Sequence, residues 1–355
     1  MRVKHVVGEA FRNCLSATAR VVPLVLIWVV IMGGTCGLDL VELGVLDTQI
    51  RDFHDSGGAT VVLSAAGSVD GHQCDDLARI DGVEAAGAIR VSDDRVDVPQ
   101  TPYSPLPLSE VSSGFATLLT FRGGGTGGTL MASTALADQY VTANHLATLG
   151  HGDLPVSGVY EWPKDGRADG LGYTLIAETP SDHPFDQCWM TVWPPNNQTT
   201  DLITLSLVPG TPPGSAVVTQ LNPARGSTLD PPQLYANRPT KWLPVAGTAL
   251  IGIVAFAAIR LRRLELASAL HCGVPRVGLL LQTQIETAWW TVTGTCLVGG
   301  ALVILGVLLD EPDPGAYALA AGWPLGLALL TASLGTGLGT LATRERSLMR
   351  YFRNR

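Results

Sequence analysis

Four stretches of the chain are apolar over a length that no surface helix needs. Val21 to about Leu38 (VVPLVLIWVVIMGGTCGL) contains no charge, and neither do Leu243–Ile259, Ala288–Leu309 or about Ala316–Ala342. A bilayer core of ~30 Å requires about 20 such residues in a helix, so each stretch predicts a transmembrane helix. With their flanks these occupy 21–38, 242–259, 288–309 and 316–342. The second stretch is short, but Trp242 and Arg260 bracket it as the aromatic and basic anchors of the two interfaces. The fold class is therefore a polytopic α-helical membrane protein with four transmembrane helices.

Between the first and second stretches the pattern changes to short apolar runs separated by turns, which predicts a mixed α/β extracytoplasmic domain over 39–241. Ala59-Thr60-Val61-Val62-Leu63 reads as a buried strand. Cys74–Ile80 carries Leu77 and Ile80 at helical spacing, and Asp81-Gly82 then turns the chain into a strand over Val83–Val91. Further strands are expected at Tyr173–Glu178, Trp189–Trp193 and Leu202–Val208, and a short helix at Ala216–Leu221. Residues 99–130 read as loop. The glycines at 123–125 and 127–128 are a turn rather than a phosphate cradle, because no Lys-Ser/Thr follows them. Residues 209–240, with seven prolines, form the return to the second span.

Charge gives the topology. Only 15% of the 355 residues are charged, below the ~25% of an ordinary soluble domain. Residues 1–20, 260–276 and 343–355 are basic, with four, four and five arginines or lysines against one glutamate each. Residues 39–241 hold ten Lys/Arg against twenty-four Asp/Glu. The positive-inside rule then places both termini, the coupling segment 260–287 and the tail 343–355 in the cytoplasm, and the acidic domain with the loop 310–315 outside. The expected location is the plasma membrane, multi-pass. Acidity over the large domain excludes a nucleic-acid partner.

The basic start before the first apolar run also fits a cleaved signal peptide. Gly33-Gly34-Thr35-Cys36 lacks a lipoprotein cleavage box and no Ala-x-Ala follows, so an uncleaved helix is expected. Upstream, Val6, Val7, Ala10, Phe11, Cys14, Leu15 and Thr18 recur at three- and four-residue spacing. That stripe reads as an amphipathic helix at 1–20 on the cytoplasmic membrane surface, with a simple extension of the first span as the alternative.

The chain carries no Gly-x-Ser-x-Gly, His-Glu-x-x-His, Cys-x-x-Cys or phosphate loop ending in Gly-Lys-Ser/Thr. No catalytic residues, metal ligands or cofactor are therefore expected in this chain. His54, His72, His145, His151 and His183 show no metal-ligand spacing and read as surface side chains.

The specific segment is Arg262-Arg263-Leu264-Glu265-Leu266-Ala267-Ser268-Ala269-Leu270-His271-Cys272-Gly273-Val274-Pro275-Arg276. It continues the second span as a helix. Gly273 can end that helix in a left-handed cap and Pro275 can open the next one. This helical reversal resembles the cytoplasmic segment of FtsX/MacB-type ABC-transporter permeases, through Arg262, Arg263, Glu265, Ala267, Gly273, Arg276 and Glu286. The plan of one span, a large outside domain and three spans is similar too, and Val141–Glu161 looks like the strand-rich subdomain of that family. Two departures stand out: His271-Cys272 before the glycine, and Pro275.

The resemblance implies a permease subunit, not an enzyme. ATP and Mg would be used by a separate ABC ATPase subunit, which docks on Arg262, Arg263, Glu265, Leu266, Leu270, Gly273, Pro275 and Arg276. It implies a homo- or heterodimer of permease chains and export or extraction (efflux) of an amphipathic molecule, lipid or lipoprotein. Alternatives are mechanotransmission to a cell-wall hydrolase or another extracytoplasmic protein, and a membrane receptor without ATPase. Gly322 with Gly326 and Gly335 with Gly339 form small-xxx-small pairs for helix packing, either as a dimer seam or within the chain. Cys74 and Cys188 both fall in the outer, oxidising compartment and can form a disulfide, or remain two buried thiols.

Overall fold

The computed structural model describes residues 8, 12, 13, 20–122, 129–150, 152–195, 198–212, 214–226, 229–308 and 314–344. Most of the amphipathic stripe, the glycine cluster at 123–128 and most of the basic tail lie outside these. The chain divides into two units, residues 1–47 with 233–355, and residues 48–232.

In chain order the helices are α1 (Val21–Trp28), α2 (Gly34–Asp55), α3 (Gly71–Asp76), α4 (Thr134–Tyr140), α5 (Thr199–Thr204), α6 (Pro231–Asn237), α7 (Leu243–Leu261), α8 (Arg263–His271), α9 (Arg276–Leu308) and α10 (Pro314–Leu341). A π-helical turn, Val29–Gly33, joins α1 to α2, so the first apolar run continues as helix to Asp55. Among the described residues, four helical stretches are long and apolar enough to cross a membrane: Val21–Asp55, Pro239–Leu261, Arg276–Leu308 and Ala318–Leu341.

The helical unit packs around Trp28, Met32, Cys36 and Leu40 of the first stretch, with Ile251 of α7 and Trp290 of α9 among their neighbours. Trp28 meets Trp290 edge-on at 5.8 Å between ring centroids. Helix α10 closes on α7 through two glycines. A Cβ at Gly335 would fall 2.2 Å from the carbonyl oxygen of Gly252, and one at Gly339 would fall 2.9 Å from Cβ of Ile259. This pair therefore packs against α7 inside the chain, the second of the two alternatives. At Gly322 and Gly326 a Cβ would meet nothing within 4 Å, so those two mediate no close packing in this chain.

A hydroxyl ladder joins α9 to α10. Thr283 and Thr340 Oγ1 lie 3.1 Å apart, Thr287 and Thr336 Oγ1 2.9 Å apart, and Gln284 Nε2 donates to the Ser333 carbonyl at 2.9 Å. These groups satisfy one another inside an apolar bundle, where an unpaired hydroxyl is costly.

In the second unit the strands are β1 (Thr60–Val69), β2 (Val83–Val96), β3 (Leu106–Val111), β4 (Thr120–Phe121), β5 (Leu130–Ser133), β6 (Val141–Thr142), β7 (His145–Thr148), β8 (Gly152–Pro155), β9 (Gly158–Glu161), β10 (Leu175–Glu178), β11 (Phe185–Val192) and β12 (Val217–Gln220). They form one mixed sheet in the order β12-β1-β11-β2-β3-β10-β5-β9-β4 and a three-stranded sheet β6-β7-β8. Pairing is parallel at β3–β10 and β5–β9 and antiparallel at the other ladders of the large sheet.

Alternation sorts the side chains of the large sheet onto two faces. Leu63, Cys188 and Met190 pack with Cys74 and Leu77 of the α3 region, while Val62, Ile89 and Trp189 pack with Phe115. Asp70 caps α3 by accepting from the Gln73 N–H at 3.1 Å. A disulfide joins Cys74 of α3 to Cys188 of β11, with Cα atoms 5.9 Å apart.

Three local expectations are corrected. Leu202–Val208 is not a strand: Thr199–Thr204 is helical, with Ile203 fully buried, and only Leu207 makes a bridge, to Val69. Ala216–Leu221 is not a helix but holds the edge strand β12, paired with β1 from Val61↔Gln220 to Ser64↔Val217. Within 99–130, Leu106–Val111 is an inner strand and Ser113–Leu118 a 3₁₀ helix.

Candidate functional site

Helix α7 stops at Leu261 because Arg262 leaves helical geometry (φ −96°, ψ 13°), and α8 restarts at Arg263. The break has a visible anchor. Arg262 donates from Nε to Glu265 Oε2 at 3.0 Å and from Nη2 to Glu265 Oε1 at 2.8 Å, a two-pronged pair. Its Nη1 reaches Glu286 Oε2 on α9. Glu286, 4% exposed, accepts through Oε1 from Asn13 Nδ2 at 2.8 Å and Gln282 Nε2 at 3.3 Å. Burial opposes the Arg262 charge, but the two carboxylates outweigh it and hold its pKa above the ordinary arginine value.

The other end of α8 closes with a Schellman motif. The Gly273 N–H donates to the Leu270 carbonyl at 3.0 Å and the Val274 N–H to the Ala269 carbonyl at 3.1 Å. Gly273 sits at φ +85°, where a residue with a Cβ is strained. Pro275 precedes α9 by one position, and its carbonyl accepts the helix-opening bond from the Leu279 N–H at 3.1 Å. The reversal is thus built from Arg262, Gly273 and Pro275.

Three of the residues expected to dock make contacts within the chain. Leu266 is 2% exposed and packs with Ile259 and Leu279, and Leu270 is a partly buried neighbour of that cluster. The Leu266 side chain therefore packs α8 onto its own bundle. Glu265 is engaged internally by Arg262. What α8 and the turn present to solvent is Glu265, Ser268, His271, Cys272, Gly273, Pro275, Arg276 and Val277, the last 76% exposed. Arg263 is half-buried.

A second polar cluster escaped the sequence reading. Asp39 of α2, 5% exposed, accepts through Oδ1 from Arg238 Nε at 3.0 Å and Thr240 Oγ1 at 2.7 Å, and through Oδ2 from Arg238 Nη2 at 3.4 Å. Glu42 Oε2 accepts from the Thr240 N–H at 3.3 Å, and the Tyr235 hydroxyl donates to Asp47. This clamp ties α2 to the segment that leads into α7. Its signal was weak because Asp39 follows an apolar run and Arg238 lies in a proline-rich return, and nothing in one dimension pairs positions 199 residues apart.

Among the described residues no group of three or more His, Cys, Asp or Glu side chains is arranged to hold a metal ion.

Neither a protein-family profile nor a curated protein sequence matches the chain. Solved structures do. The periplasmic region of MacB from Actinobacillus actinomycetemcomitans is matched over 46% of this chain and 89% of that one, at 8% identity and a TM-score of 0.34. The extracellular domain of the noncanonic ABC-type transporter YknZ from Gram-positive bacteria is matched over 45% and 100%, at 14% identity and 0.32. A domain of a permease protein from Porphyromonas gingivalis is matched over 52% and 98%, at 9% identity and 0.33.

Proposed function

We propose that the chain is the permease subunit of an ABC transporter, and that the reversal from Arg263 to Pro275 is where a separate ATPase subunit docks. The observation that carries this reading is the mechanical fixation of that reversal. A helix held at one end by the Arg262 pair to Glu265 and Glu286, and at the other by a glycine cap, moves as a piece with α7 and α9 rather than as a loose loop. ATP-driven closure of two ATPase copies would then shift α7 and α9 together, and the first helical stretch, which runs without a break to Asp55, leads into the sheet domain. In this reading the cargo side is outside or in the outer leaflet, which is supported by the way the threonines between α9 and α10 bond to one another, Thr283 to Thr340 and Thr287 to Thr336. An amphipathic molecule, lipid or lipoprotein fits that reading.

The test uses the exposed apex, since Leu270→Asp would damage the internal packing it belongs to. Arg276→Glu combined with Val277→Asp removes an exposed cation and an exposed apolar contact while leaving the Leu266 cluster intact. The variant is expected to insert normally and to lose co-purification with the ATPase subunit and its ATP turnover. A full complement of active ATPase on this variant would overturn the docking role. A wild-type chain that never co-purifies with an ATPase would leave the stand-alone receptor.

A further inference from the structure

A groove of about 370 Å³ lies in the helical unit between α1, α7 and α9. That volume sits at the low end of small-molecule sites, ~300–1,000 Å³. Its walls are apolar, with Leu24, Ile27, Ala258 and Leu261 among them, and its polar end carries Arg20, Arg262 and Glu286. Ile27 and Leu261 are 38% and 70% exposed, so the groove opens onto the surface of the bundle rather than enclosing a void.

The polar groups at that end are not equivalent. Glu286 has both oxygens occupied by Arg262, Asn13 and Gln282, and Arg262 is itself neutralised by Glu265 and Glu286. The threonines in the lining are also satisfied, with Thr287 bonded to Thr336 and Thr283 to Thr340. Among the described residues lining the groove, Arg20 is the cation that makes no ion pair. An apolar slot open to the side, with one uncompensated guanidinium at its end, is complementary to an acyl chain bearing an anionic head group.

We infer that this groove binds one acyl chain of an anionic phospholipid, with its head-group phosphate at Arg20. The site is distinct from the docking apex and does not depend on an ATPase. It rests on the four helices crossing a bilayer. A lipid held there would touch α1, α7 and α9 at once, so its presence would favour the arrangement in which these three helices meet.

The experiment reconstitutes the full chain in phosphatidylcholine vesicles doped with a diazirine-bearing phosphatidylglycerol or, separately, a diazirine-bearing phosphatidylcholine. Peptides labelled after illumination are identified by mass spectrometry. Labelling around Leu24–Ile27 and Ala255–Leu261 is expected to favour the phosphatidylglycerol probe about fivefold, the preference that one arginine at a membrane surface confers. Arg20→Ala should erase the preference, and Ala258→Trp should fill the slot and reduce labelling by both probes. Exposed Leu334 and Leu338 on α10 serve as the bulk-lipid reference. Equal labelling of the groove by both probes in the unaltered chain overturns the inference. So does labelling that appears only after residues 1–19 are removed, which would make the chain's own N-terminal segment the occupant. Loss of labelling at the reference positions as well would overturn the membrane reading and the lipid site together.

Discussion

Glu286 and Asp39 show how much a single buried carboxylate organises here. Glu286→Ala removes the acceptor shared by Arg262, Asn13 and Gln282 and leaves a guanidinium 10% exposed with Glu265 alone. A loss of about 1–3 kcal/mol is expected, read as a lower unfolding midpoint in detergent, with Glu286→Gln milder because its amide oxygen still accepts. Asp39→Ala should cost a similar amount, because it strands Arg238 and Thr240. In the sheet domain, Glu110 supplies an acid-sensitive link. Partial burial raises its pKa, but hydrogen bonds from Arg90 and Ser92 and the nearby charge of Arg90 outweigh this and hold it below the ordinary 4.5. A depressed carboxylate stabilises the fold fully above its unfolded value, and that contribution disappears as pH falls below 4.5 through the folded value. Acid unfolding followed by tryptophan fluorescence should therefore show a weaker pH dependence in Glu110→Gln. An unchanged acid limb would remove Glu110 from the account.

At the scale of elements, close approach decides more than propensity. Gly335→Leu forces a side chain into the backbone of α7 at Gly252 and is expected to destabilise the helical unit by about 1–3 kcal/mol or more. The same change at Gly322 should be tolerated, and thermal melts of the two variants compared side by side test the difference. The long apolar runs and strands such as β1 and β2 were legible because each is dictated by its own residues. The reversal at Gly273 and Pro275 was legible for the same reason, since a left-handed cap and a proline start are local. The misread elements are those that partners impose. β12 is a strand because β1 offers it a ladder, and β3 was hidden by Pro105 and Pro107, although Pro107 falls beside the register irregularity between Val91 and Arg95, at the strand's start. The inward turn of Leu266 was invisible because its neighbours Ile259 and Leu279 belong to two other helices. The π-helical turn at Val29–Gly33 also lacked a sequence mark beyond its one glycine, Gly33.

For the whole molecule the charge asymmetry makes the firmest forecast. Thiols introduced at Ser215 should react in intact cells with a maleimide that cannot cross the membrane, and those at Ser268 should not. Reaction at Ser268 from outside would invert or break the four-span topology. The Cys74–Cys188 bond spans 114 residues of sequence, and in the chain-entropy picture closing so long a loop is worth about 4–5 kcal/mol. Cys74→Ser should accordingly make the sheet domain sensitive to protease while the spans remain inserted, which limited trypsinolysis would reveal.

The strand order carries one more consequence. The first and last strands of the sheet domain are neighbours, and the chain leaving at Leu221 is hydrogen-bonded to Thr60, where it entered. Entry and exit side by side make the domain a cassette: it can be lengthened, exchanged or lost without stretching the chain on either side of it. Residues 48–232 expressed alone in an oxidising compartment should fold as a soluble piece, and a short linker in their place should leave the remaining helices able to insert. A different sheet domain could then be grafted between the same two helices.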